Sequence, residues 1–345
     1  MTLKLLFVGK TDFQYNRDLI LLNGLKKRED VSVEVLRIKK RNWATYKEIR
    51  KKSKAVDFVV IPSFRHKDVA YIKLASKAPV VFDPLISKYM TRVLDYQVKW
   101  KGPHKYLVDW LAFYWPDILI WDTKSHQKFL VDKYRIKKPN TAIYIGVDTS
   151  LFFPIEKQKK DKVIVGFYGS FNPLQGIDKI VRAAHMLRDE PTIRFRIIGS
   201  GSTYKKVTAL AEELKVTNID FVHNVPYQKL NDAISEFDIC LGVFGESVKA
   251  DVVIPNKIYH YAAAKKCVIT KNTEGVKELF VDGENICLVK NDPKAISEAV
   301  LALSRNLEKR DRLAEGAFEF IVEGFNEDRV ADRFVGFLRK ISNKN

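Results

Sequence analysis

Cysteine is nearly absent from this chain of 345 residues. Its three cysteines, Cys240, Cys267 and Cys287, lie in apolar runs and form no Cys-x-x-Cys pair. A zinc site or a disulfide framework is therefore not expected, and a reducing cytoplasm is the default compartment. Long apolar runs are missing as well. The most apolar stretch, Tyr106 to Trp121, is interrupted by Asp109, Pro116 and Asp117, so no membrane-spanning helix is expected. The run Leu3 to Val8 is too short for a signal peptide and is followed by no small-residue cleavage site. His66, His104 and His185 share no ligand spacing with any Cys, Asp or Glu, which argues against a protein-bound metal. No fixed-period repeat occurs.

What is present describes a globular protein. The chain is 46% hydrophobic and 12% aromatic, and its length suits two domains of about 150–170 residues. Acid is scarce in the first half. Residues 1–150 carry 30 basic and 15 acidic side chains, a net +15 out of the formal +18, together with all five tryptophans. The segment Arg37 to Lys54 holds nine basic residues, one acid and Trp43. Lys88 to Trp115 mixes lysines and Arg92 with Tyr89, Tyr96, Trp100, Tyr106, Trp110 and Tyr114. Cations beside indole and phenol rings suit an anionic membrane surface, each contributing roughly 1 kcal/mol. A phosphate-rich polymer could use the same groups, and so could a plain solvated face. Membrane contact through this first domain is the expectation, and nucleic acid is not.

Short β runs alternate with helical stretches throughout. Leu3–Val8, Val31–Leu36, Phe58–Ile61, Val80–Phe82, Ile118–Trp121 and Ala142–Ile145 read as buried strands. A Lys-rich linker is expected over Glu156–Lys162. Strands then resume at Val163–Tyr168, Phe195–Ile198, Ile219–Val222, Ile239–Leu241, Val268–Thr270 and Ile286–Val289. This is an α/β pattern of two Rossmann-like doubly wound domains, 1–155 and 160–325, expected to face a central cleft. The tail, 326–345, reads as a helix capped by Asn326, with a stripe of Val330, Phe334, Phe337, Leu338 and Ile341. That stripe is predicted to cross back onto the first domain.

Ligands bind such sheets at the carboxyl ends of the strands, so the loops there carry the functional signal. The first loop of the second domain, Gly169-Ser-Phe-Asn-Pro-Leu-Gln-Gly176, is a glycine-bracketed turn into a helix. Gly169, Ser170, Gln175 and Gly176 are thereby placed where backbone amides can hold a diphosphate. Gly199 and Gly201 of Ile198-Gly-Ser-Gly-Ser202, and Asn224 and Val225 of His223-Asn-Val-Pro226, let a flat ligand approach the next two strand ends. The stretch Phe244 to Ala264 contributes Lys249, Lys257, Asn256 and His260 around Pro255. An ammonium beside helix N-terminal amides is a receptor for a dianionic phosphate, because charge-assisted hydrogen bonds are roughly twice as strong as neutral ones.

The order GSFNPLQG, IIGSGS, HNVPYQKL, VIPNKIYHYAAAKKCVIT and KELFVDGENICLV resembles the C-terminal domain of GT-B glycosyltransferases of the large retaining family 4. Tyr144-Ile-Gly-Val-Asp-Thr-Ser-Leu-Phe-Phe-Pro154 resembles its interdomain junction. The resemblance implies a UDP- or GDP-sugar bound by the second domain and an acceptor bound by the first, with no cofactor or metal required. Many relatives carry an arginine, a lysine and two glutamates at positions that here hold Ser170, Gln175, Val252 and His260. Lys249 and Lys257 stand in as the cations for the departing diphosphate, and His260 as a partner for ribose hydroxyls.

In the first domain Asp83 is expected exposed at the end of its strand, where it would orient or deprotonate the acceptor hydroxyl, or simply cap a helix. Asp122 and His126 follow another strand on the acceptor side. Gly9 and Arg17 are expected to meet the diphosphate or the acceptor from the opposite wall. The reading is a glycosyltransferase, peripheral on the cytoplasmic face of the membrane, acting with retention on a lipid-linked or growing-glycan acceptor. A nucleotide-sugar epimerase of the same fold and a non-catalytic scaffold are the rivals.

Overall fold

The chain, described over residues 2–156 and 161–343 in a computed structural model, forms two six-stranded parallel sheets. The expected linker over 156–162 lies largely outside the described residues. One compact unit comprises Met1–Gly146 with Phe325–Asn345, and the other Val147–Gly324.

In the first unit the strands are β1 (Leu3–Gly9), β2 (Val31–Arg37), β3 (Phe58–Ile61), β4 (Val80–Phe82), β5 (Ile118–Trp121) and β6 (Asn140–Ala142), ordered β2-β1-β3-β4-β5-β6. Residues of β3, β4 and β5 are buried at every position, as expected of parallel strands covered on both faces. Strand β6 differs from the expected Ala142–Ile145. Its ladder pairs Leu119 with Asn140, so the strand starts directly after Pro139; the Ile143 amide donates the last bond, to the Trp121 carbonyl, and the apolar residues beyond it leave the sheet. Apolarity marked burial there, not pairing.

The helix Glu327–Ser342 buries Val330, Ala331, Phe334, Val335 and Leu338 in this first unit, with Asn326 accepting from the Arg329 amide as its cap. It packs on the helix Asn16–Lys26 at Gly24. A β-carbon on Gly24 would lie 2.0 Å from the Glu327 carbonyl oxygen, a backbone atom that cannot swing aside. Gly24→Ala is therefore expected to destabilise the protein by about 2–3 kcal/mol, despite alanine's better helix propensity, as a lowered denaturation midpoint would record.

In the second unit the strands are β7 (Val163–Tyr168), β8 (Ile193–Ile198), β9 (Ile219–Val222), β10 (Ile239–Leu241), β11 (Cys267–Lys271) and β12 (Cys287–Val289). Their order, β12-β11-β10-β7-β8-β9, reverses direction between β7 and β10. That switch point is where an open α/β sheet leaves a crevice beyond its strand ends. Beneath it lies a dense core that includes Phe167, Phe171, Phe195, Ile197 and Phe244.

Candidate functional site

The loops at the β7/β10 switch point hold one another. The amides of Phe244 and Gly245, beyond β10, donate to the carbonyls of Gln175 and Leu174 at 3.0 Å each. Gly176 makes this close contact possible. Its φ is +62°, and a β-carbon there would stand 2.4 Å from the Phe244 carbonyl. The β8 loop is bound as tightly. A β-carbon on Gly199 would lie 2.0 Å from the Gly169 carbonyl oxygen, so only glycine lets the two turns touch. The Ser170 amide and hydroxyl make no hydrogen bond among the described residues.

Beside these turns lies a hollow of about 140 Å³, whose lining includes Gly169, Ser170, Gly199, Asn224, Val225 and Tyr227. Five of those six were singled out in the sequence. Tyr168 and Tyr227 also line it and were missed, because an aromatic residue at a strand end or in a loop carries no pattern that separates a wall from a core. Gly201 abuts Phe171, where a β-carbon would fall 2.5 Å from the carbonyl oxygen.

At the other end of the first loop sits Lys257, on the first turn of the helix Asn256–Ala263. Its side chain is only 5% exposed. Nζ donates to Gln175 Oε1 at 2.5 Å and lies 3.5 Å from the Phe167 ring centroid. A β-carbon on Gly169 would meet the same Nζ at 2.9 Å. Its partners are thus a neutral amide and ring faces, and no carboxylate pairs with it among the described residues. Burial lowers its pKa well below 10.5. Lys249 is placed on the separate helix Val248–Val252 and is half-buried.

His260, one turn further on, is buried with its ring stacked on Phe152 at 3.8 Å. Its Nδ1 lies 2.5 Å from the Tyr168 hydroxyl, so that nitrogen is already engaged within the unit. Burial lowers its pKa to about 3, which keeps the imidazole neutral.

The first unit holds a second polar cluster at its strand ends, and here two expectations are corrected. Asp83 is not exposed. It is 4% exposed and accepts from Arg17 Nε at 2.7 Å, while Arg17 Nη1 donates to the Ile143 carbonyl at 2.5 Å. A pair separated by 66 positions in sequence has no local signature. Burial raises the Asp83 pKa above its ordinary 3.8, with Arg17 acting in the opposite sense. Arg17 is thereby committed to Asp83 rather than to a ligand.

Asp122 and His126 do come together, with Oδ1 and Nδ1 2.5 Å apart. The other ring nitrogen, Nε2, is buried and meets no hydrogen-bonding group among the described residues. Gly9 ends β1 against Pro62, whose Cγ would be 2.8 Å from an added β-carbon. Among the described residues no group of three potential metal ligands is found.

Comparison with known proteins bears on the family and the fold. The sequence profile of the "Glycosyl transferases group 1" matches residues 148–320. An uncharacterized glycosyltransferase of Methanocaldococcus jannaschii is 24% identical over 213 residues, covering 57% of this chain and 55% of the relative. The chain spans about half the length of the curated relatives it matches. Among solved structures, sucrose-phosphate synthase of Thermosynechococcus elongatus superposes with a TM-score of 0.77 at 13% identity, over 99% of this chain and 100% of that one. Anabaena HepE, determined with UDP, gives 0.75 at 14% identity over 98% and 100%.

Proposed function

The chain belongs to the glycosyl transferases group 1 family, and from that premise we propose that it moves a glycosyl unit from a nucleoside diphosphate sugar to an acceptor. The observation that carries the reading is the Lys257 ammonium beneath the 169–176 turn, with only neutral partners. A diphosphate is the counter-charge such a cation lacks. In this reading the base and ribose occupy the hollow at Gly199, Asn224 and Val225. The diphosphate then lies across Gly169, Ser170 and Gly176 toward Lys257, with Gln175 aiming the ammonium and Asn256 beside it.

As the bond to the anomeric carbon breaks, negative charge builds on the departing diphosphate. Positioned amides and one ammonium stabilise that state more than the ground state. Transfer with retention and without metal follows the family resemblance, as does an acceptor that is lipid-linked or a growing glycan at the cytoplasmic membrane face. His126, held by Asp122, is proposed to lie on the acceptor side and to position the groups that meet the acceptor. Lys249 is retained as a second cation near the diphosphate, and His260 as a wall that fixes Tyr168.

A panel of nucleotide sugars should identify one that stabilises the protein by about 2.7 kcal/mol at one hundred times its Kd, seen as a rise in melting temperature. With that sugar and a suitable acceptor, free nucleotide is released. Epimer formation without acceptor would instead select the epimerase. Stabilisation without nucleotide release from any acceptor would select the scaffold.

A further inference from the structure

The helix Gly102–Tyr114 turns its charge inward and its apolar face outward. Asp109 is fully buried. Its carboxylate accepts from Ser87 Oγ at 2.6 Å, from the Lys88 and Tyr89 amides at 2.9 Å, and from the Tyr134 hydroxyl at 3.2 Å. These bonds fix the rotation of the helix about its own axis. The outward positions are then Pro103, His104, Tyr106, Leu107, Trp110, Leu111 and Tyr114, all but His104 apolar or aromatic. Leu107 is 52% exposed, Leu111 41% and Tyr114 62%, and Trp100 just ahead of the helix is 80% exposed. A surface helix ordinarily presents the reverse, and a contiguous exposed apolar patch marks a contact site.

Cations ring the stripe. Lys101 Nζ lies 4.6 Å over the Trp100 ring, Lys133 Nζ 4.2 Å over Tyr89, and Lys138 Nζ 5.8 Å over Tyr114. The two carboxylates between Tyr89 and Trp115, Asp95 and Asp109, are both buried, and the nearby Asp117 pairs with Lys73. Two hollows flank the helix. One of about 650 Å³ lies against Val93, Leu94 and Pro103, and one of about 240 Å³ against Trp110 and Tyr114. Among the described residues no helix is long and apolar enough to cross a bilayer, so contact with lipid here is interfacial.

We propose that this face docks on an anionic phospholipid surface. The helix lies in the interface plane, with Leu107, Trp110 and Leu111 among the acyl chains and the lysines at phosphate level. The inference deepens the membrane-presented acceptor reading and rests on it only for its purpose. Charge selects the occupant. A second copy of the chain would bring Lys101, Lys133 and Lys138 toward their own equivalents across a two-fold axis. The other basic, aromatic segment does not compete. In the helix Trp43–Lys52 a single large apolar side chain, Trp43, is exposed, so no apolar stripe forms there, and Lys52 pairs with Glu34.

Flotation with vesicles of equal phosphatidylglycerol and phosphatidylcholine tests this directly. The protein is expected to bind them, more weakly in high salt, and to bind phosphatidylcholine alone poorly. Leu107→Asp/Leu111→Asp should bind at least about tenfold more weakly, whereas Trp43→Ala should bind as the parent does. Both substituted leucines face solvent, and an unchanged melting temperature confirms folding. Parental binding by the double variant overturns the proposal, as does failure to bind the anionic vesicles at low salt. So does a parental dimer that the double variant dissolves, which assigns the stripe to a second copy. Thermal stabilisation by nucleotide sugar reads the transferase proposal separately. Its absence alongside intact vesicle binding would remove that reading and leave this one standing.

Discussion

Lys257→Met is expected to lower kcat/KM about 100–1000-fold and, at the same time, to raise the melting temperature of the ligand-free protein. The first effect follows from removing one preorganised partner of a developing anion. The second follows from burial. An ammonium 5% exposed, with an amide and two rings for company, is held at a cost that a thioether on Phe167 does not incur. Linkage gives a pH signature. The folded pKa lies well below 10.5, so the unfolded chain binds the extra proton and the stability set by this residue rises with pH up to about 10.5. The thermal advantage of the variant should therefore shrink as pH climbs through that window. Steady-state kinetics and paired melting curves at several pH values check both effects. Unchanged turnover would remove Lys257 from the reaction, and a destabilised variant would make it a structural residue.

Arg17→Met should carry the largest stability cost. It leaves Asp83 buried without its partner, at about 3–5 kcal/mol, which for a unit of this size lowers the melting temperature by roughly 6–15 °C. Adding Asp83→Asn should recover most of the loss, because a neutral amide needs no counter-charge there. A double-mutant cycle measures the coupling. If Arg17→Met melted with the parent, the pair would not be what holds these strand ends together.

Much of the architecture was legible because parallel strands buried on both faces read as continuous apolar runs. Eleven of the twelve lie within two residues of their expected ends, and β3, β4, β5, β7, β9 and β10 coincide with their expected runs. The glycine turns were legible for a related reason. Close backbone contacts such as Gly199 to Gly169 tolerate no side chain, so the residue type itself reports the geometry. What did not show was distance through space. Lys249 and Lys257 are equivalent in composition, and only the helix Asn256–Ala263 decides which of them reaches Gln175. Asp83 looked like a free carboxylate because Arg17 stands in another element. The helix Gly102–Tyr114 was visibly aromatic and basic, but which side faced water depended on Asp109 finding Ser87 and Tyr134.

The return of Glu327–Ser342 to Gly24 has a consequence for biosynthesis. The hydrogen bond from Lys27 to Glu327 joins residues 300 apart, so the covering helix leaves the ribosome long after the strands it completes. The Val147–Gly324 body has all its own strands by then and can close first. The earlier-made body must wait for its covering helix, with the helix face at Gly24 still open to solvent while the rest of the chain is made.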